Sequence, residues 1–163
     1  GLGRSFAEAY AKAQAGAGAP LPRSGRVALS AATMDKPRAV AVAGRLVRAG
    51  FTLVATEGAA HAIHAAGLEV ATVGKVAEDG DDIPTLIGRG EVDLVINTPT
   101  GAVAPAAGAT IRRAAVAAGI PYLTTMEAAE AAALAVRSDR LTPIALQDML
   151  NVAPVTTGGS TST

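Results

Sequence analysis

The chain has 163 residues, with 14 basic side chains against 14 acidic ones and a formal net charge of zero. Half of the residues are hydrophobic, but only 2% are aromatic, and there is no Trp and no Cys. This composition excludes disulfides, thiolate metal sites and cysteine nucleophiles, and it lacks the basic excess and stacking aromatics of a nucleic-acid surface.

A chain of this length buries roughly 70% of its unfolded surface as one domain, and here Ala, Val, Leu and Ile must fill that core. No apolar run approaches the ~18 residues of a membrane span, and no signal peptide is visible. With the missing Cys, this reads as a cytoplasmic protein. A start at Gly1 without Met reads as a piece of a longer chain.

Residues 5–14 are good helix formers behind a Ser5 cap, with Phe6 and Tyr10 four apart on one face. Two readings stay open for them: an anchor for a neighbouring domain, or a helix folded back on its own domain. On the first reading residues 1–24, including the Ala15–Pro22 linker, belong to a preceding domain. The body is 25–150, and 151–163 is a flexible tail rich in Thr, Ser and Gly.

The body repeats one unit. Gly50, Gly67, Gly90 and Gly119 each follow a helix-like run, and each precedes a strand-like run: FTLVA, LEVATV, VDLVI and IPYLT. Glycine just past a helix end is the favoured left-handed cap. With a first strand at Val27–Ser30, this predicts an α/β fold with a five-stranded parallel sheet between two helical layers. The last helix starts at Thr124–Glu127, a capping-box pattern. A short amphipathic piece follows at Ile144–Leu150.

Ligands in such folds sit outside the carboxyl ends of the strands. Those ends carry Ser30 to Lys36, then Thr56, Glu57, Gly58 and Ala59, then Gly74 and Lys75, then Asn97 to Gly101, then Tyr122 to Thr125. The chain uses Arg eleven times and Lys only three, yet two of those lysines, Lys36 and Lys75, fall on these ends. Lys36 precedes Pro37 and is expected as the N-cap of the next helix. A cation is electrostatically wrong there; a bound anion shared with the helix end would explain it, the alternative being a solvated surface Lys whose clash with the dipole is screened by water and salt. Asn97 and Thr98 suit a phosphate, or alternatively satisfy their own turn.

Other candidates are weaker. His61 and His64 lack a matching carboxylate for a metal pair. Glu78, Asp79, Asp81 and Asp82 precede a helix, where carboxylates are expected for dipole reasons, though one could act as a general base. No G-x-G-x-x-G follows the first strand, so a dinucleotide fingerprint is absent.

The motifs S-G-R-V-A-L-S, D-K-P-R, A-T-E-G, V-G-K, I-N-T-P-T-G, I-R-R and I-P-Y-L-T-T, in that order, resemble the methylglyoxal-synthase-like domain. More narrowly, they resemble the C-terminal regulatory domain of the large subunit of glutamine-dependent carbamoyl-phosphate synthase, over residues 3 to about 150. The resemblance implies a domain without chemistry of its own that binds a nucleoside monophosphate effector, with uridine monophosphate inhibiting and inosine monophosphate competing. The matching positions are Lys36, Thr56, Lys75, Asn97, Thr98 and Thr100, with Gly58 and Ala59 in the same phosphate loop and Tyr122 and Thr124 as a second effector region.

It also implies catalytic domains in the same chain that use ATP with Mg or Mn, a small glutaminase subunit, and a place in pyrimidine and arginine biosynthesis. Ala59 stands where many relatives carry a phosphate-side Thr, at a helix start where a side chain can point at a ligand. Leu123 stands where the enterobacterial form has an Asp near its ornithine site. The competing reading is a methylglyoxal synthase-type lyase acting on dihydroxyacetone phosphate. That chemistry needs a carboxylate base beside the phosphate, and here the loop after the fourth strand carries Thr98-Pro99-Thr100.

Overall fold

The computed structural model describes residues 1–74, 81–98 and 105–137. Lys75, Thr100, Glu78, Asp79, the 144–150 piece and the 151–163 tail therefore lie outside the described residues. Among the described residues the α-helices and strands run in order: α1 (Phe6–Gly16), β1 (Gly25–Ser30), α2 (Lys36–Arg48), β2 (Phe51–Thr56), α3 (Glu57–Ala65), β3 (Ala71–Val73), α4 (Ile83–Gly88), β4 (Leu94–Asn97), α5 (Pro105–Ala117), β5 (Tyr122–Leu123) and α6 (Met126–Ala135). Among the described residues, no helix is long and apolar enough to cross a membrane.

The five strands form one sheet in the order β3-β2-β1-β4-β5, and every pairing is parallel. The four junction glycines all have positive φ, from 68° to 92°, as helix-ending left-handed caps require. Right-handed crossovers then dictate the layers. The chain moves one way from β1 through α2 to β2 and through α3 to β3, so those two helices share a face. It returns through α4 to β4 and on through α5 to β5, which puts α4 and α5 on the other face.

Alternation along the strands divides the core accordingly. Val27, Leu29, Leu53, Leu94 and Ile96 pack with α2, α3 and α6 in one buried cluster. Ala28, Val54 and Val95 pack with Ile83, Leu86 and Ile87 of α4 and Ile111 and Ala115 of α5 in the second. Alanines at 39, 43, 59, 60, 129, 132 and 133 line the first cluster, so helix backbones lie close to the sheet where a richer chain would use aromatics.

α1 lies against α6. Ser5 caps it by accepting the Glu8 N–H at 3.2 Å. Tyr10 packs on the first cluster while Phe6 stays exposed. The first strand begins at Gly25, two residues earlier than expected, because the sheet edge at Phe51 offers backbone partners there. The capping box expected at Thr124–Glu127 is not formed. Thr125 is the N-cap, its hydroxyl accepting the Ala128 N–H at 3.2 Å, and Glu127 turns to Arg38 instead.

Candidate functional site

Every helix after α1 begins at the carboxyl edge of the sheet. Two of those N-termini are closed by side chains. Asp82 accepts the Thr85 N–H at 2.8 Å at the start of α4, and Thr125 caps α6. The N-termini of α2 and α3, which follow the central strand and its neighbour, are different. Their caps, Asp35 and Thr56, make no side-chain hydrogen bond to the first turn. First-turn N–H groups without such a cap present partial positive charge to a ligand.

Lys36 joins these two helix starts. It was expected as the N-cap, but Asp35 holds that place and Lys36 is the first helical residue, at φ −53° and ψ −43°. A 3-10 turn over Thr33–Asp35 winds directly into the helix. This overrides the extended preference of a residue before proline, while Pro37 only removes an N–H that the first turn leaves unused anyway. From there the side chain crosses to α3. A Cβ built on Gly58 would lie 3.1 Å from Lys36 Nζ and 3.6 Å from Cε. The ammonium thus rests over the first turn of α3, where it opposes the helix dipole.

The cations that do have carboxylate partners are held differently. Lys12 holds Glu8, Arg26 holds Glu91 and Arg89 holds Asp81. Arg38 forks onto Glu127 at 2.7 Å and both oxygens of Glu130 at 2.9 and 3.1 Å. Its hydrogen bonds hold both carboxyls below the usual range and tie α2 to α6. For Lys36 no described carboxylate lies within ion-pair distance.

Thr98 and Asn97 are engaged elsewhere. The Thr98 hydroxyl accepts the Ala32 N–H at 3.0 Å, and the Thr98 N–H donates to the Ser30 carbonyl at 2.9 Å. These bonds tie the loops after β1 and β4 together where the strand order reverses, the usual ligand crevice of an open α/β sheet. Asn97 Nδ2 donates to the Tyr122 hydroxyl at 2.7 Å, linking the first expected effector region to the second. Thr124, two residues on from Tyr122, is half-buried. The structure therefore makes three local groups along one edge: Lys36 with Gly58, two residues past the Thr56 N-cap, then Thr98 with Ala32, and Asn97 with Tyr122. Lys75 and Thr100 lie outside the described residues.

Ala59 is a correction. Its side chain does not point at a ligand; it is 3% exposed and belongs to the first core cluster. Ala59, Ala60 and Ile63 form the inward face of α3, so only the Ala59 backbone can serve an anion. A Thr at this position puts a hydroxyl into the core beside the sheet. Ala59→Thr is expected to destabilise the fold by about 1–2 kcal/mol, read as a lower urea midpoint. Wild-type stability in that variant would show that the site has room for it. Leu123 is likewise buried, in the first cluster.

The Asn97–Tyr122 bond and the Ala32–Thr98 bond were not foreseen. Each joins ends of strands that become neighbours only once the order β2-β1-β4-β5 is known.

This edge, with its two uncapped helix starts, is built on the scaffold of a known family. The MGS-like domain model matches residues 38–124, and the chain belongs to that family. Among curated proteins it is 47% identical, over 83% of its length, to the carbamoyl phosphate synthase large chain, C-terminal section, of Methanopyrus kandleri. It is 44% identical, over 81% of its length, to the carbamoyl phosphate synthase large chain of Rubrobacter xylanophilus. The matches cover 25% and 12% of those relatives, so the chain spans a quarter or less of their length. The crystal structure of methylglyoxal synthase from Elizabethkingia anophelis NUHP1 shares the fold, with a TM-score of 0.57 at 21% identity, covering 85% of this chain and 97% of that one.

Proposed function

We propose that the chain is the effector-binding regulatory domain of a glutamine-dependent carbamoyl-phosphate synthase large subunit. On this reading it takes the phosphate of a nucleoside monophosphate, such as uridine or inosine monophosphate, at the starts of α2 and α3. The observation that carries it is the Lys36 ammonium, without a described carboxylate, lying over Gly58 between two helix N-termini that no side chain caps. A phosphate there turns an unfavourable cation–dipole contact into a charge-assisted hydrogen bond. Lys75 and Thr100 would complete the anion's ligands. Chemistry would reside in the rest of the parent chain, an ATP-dependent ligase using Mg or Mn with a glutaminase subunit, in cytoplasmic pyrimidine and arginine biosynthesis.

Ligand binding to the native state alone raises stability by about 2.7 kcal/mol at a hundred times its dissociation constant. A melting shift of about 5–10 °C is therefore expected with saturating uridine or inosine monophosphate. No shift with any nucleoside monophosphate at millimolar concentration would remove the proposal.

The lyase reading has less support from the side chains. Asp82 is buried as the cap of α4 and Asp81 pairs with Arg89, so neither is poised as a base beside Lys36. Methylglyoxal released from dihydroxyacetone phosphate by the purified chain would restore it.

A further inference from the structure

α2 lies between α3 and α6, and two cations in its first turn reach to opposite neighbours. Lys36 crosses to the start of α3, over Gly58, while Arg38 forks onto Glu127 and Glu130 of α6. Positions two apart on a helix lie on nearly opposite sides, so one turn can serve both. Among the described residues, every side-chain hydrogen bond between α2 and α6 runs through Arg38. Its bonds to two carboxylates one turn apart fix the planar guanidinium in a way that a single ammonium could not match.

α6 is loosely anchored to the sheet. It follows β5, an edge strand of two residues paired with β4. Its buried positions are Met126 and the alanines at 129, 131, 132, 133 and 135, so it presents shallow ridges to its neighbours. Those neighbours include α2 and also α1. Helices packed on such faces can slide in small steps. A phosphate held by the first-turn N–H groups of both α2 and α3 would draw the two helix starts onto one anion. Arg38 sits in that same turn of α2, so the shift would reach α6.

We propose that Arg38, through Glu127 and Glu130, transmits occupancy of the anion site at the α2 and α3 starts to α6 and from there to α1. This rests on the effector-binding reading above. Arg38 acts as a positioning residue and does not hold the ligand. Coupling of this kind is reciprocal, so whatever fixes α1 and α6 changes effector affinity by the same factor. On the reading that gives residues 1–24 to a preceding domain, the signal leaves at the junction with that domain.

The test compares wild type, Glu127→Gln/Glu130→Gln and Arg38→Met by calorimetric titration with uridine monophosphate and by amide hydrogen exchange with and without it. A ligand slows every amide that exchanges through global unfolding. The readout is therefore the slowing in α1 and α6 beyond that in residues 111–117 of α5, on the other face of the sheet. Wild type is expected to show an excess of about fivefold, the lower end of couplings between sites. Both variants are expected to lose that excess while binding the nucleotide within about threefold of wild type, less than one neutral hydrogen bond is worth. They break the fork from opposite sides and change the charge in opposite senses, so a shared result is not a charge effect. Either one serves if the other does not fold. An excess that persists in a folded variant would make the fork a structural brace and overturn the proposal. Its absence in a wild type that binds the nucleotide would do the same. A larger loss of affinity would place the fork at the ligand, which also overturns it. A wild type that gives no binding heat overturns the effector reading, and this proposal with it.

Discussion

Lys36→Ala is expected to weaken nucleoside monophosphate binding by about ten- to a hundredfold while leaving the unliganded fold intact. The removed contact is a charge-assisted hydrogen bond to phosphate, worth about 1.5–3 kcal/mol. The loss should appear without a stability cost, because the ammonium has no described carboxylate and sits over the start of α3 against its dipole. Relieving that contact should stabilise the free chain by a few tenths of a kcal/mol. Calorimetric titration and urea unfolding of the same preparations read both effects. Wild-type affinity in the variant would mean that the anion sits elsewhere on the edge.

Gly25→Ala should produce the largest stability loss of any single methyl addition in the described sheet. Gly25 opens β1 at φ 120°, a region that side chains avoid. A Cβ there would fall on the Asp93 carboxylate. That carboxylate accepts the Arg26 N–H at 2.8 Å, while the Asp93 N–H donates to the Arg26 carbonyl at 2.9 Å. The methyl therefore strains the backbone and displaces the group that closes the amino end of the β1–β4 pair. Together these are expected to cost about 2–4 kcal/mol, a large share of the 5–15 kcal/mol typical of a domain. A loss below about 0.5 kcal/mol in chemical denaturation would contradict this account.

The sheet and its layers were legible because their signals are local. A glycine that must adopt positive φ after each helix, followed by a β-branched run, marks every junction regardless of the rest of the chain. Lys36 was legible as a misplaced charge, although its backbone was misjudged, since the 3-10 turn before it outweighed the proline rule. Ala59 was misread for want of the helix phase. Its spacing of four from Ile63 marks the inward face of α3, a phase that the A-T-E-G loop motif does not carry. The bonds Asn97–Tyr122 and Ala32–Thr98 belong to pairs 25 and 66 residues apart, and no local pattern encodes them.

The central place of β1 has a kinetic consequence. One of its neighbours, β2, arrives after a single helix, but the other, β4, comes much later, with Arg26 and Asp93 67 residues apart. Closing the longer loop costs entropy before any contact rewards it. The unit from β1 through β3, with the inner faces of α2 and α3, can gather its half of the core first. Docking of β4 against the open side of β1 is then expected to come after it. Gly25 and Asp93 meet at that seam, so Gly25→Ala acts at the joint that forms last. Such a substitution speeds unfolding far more than it slows folding.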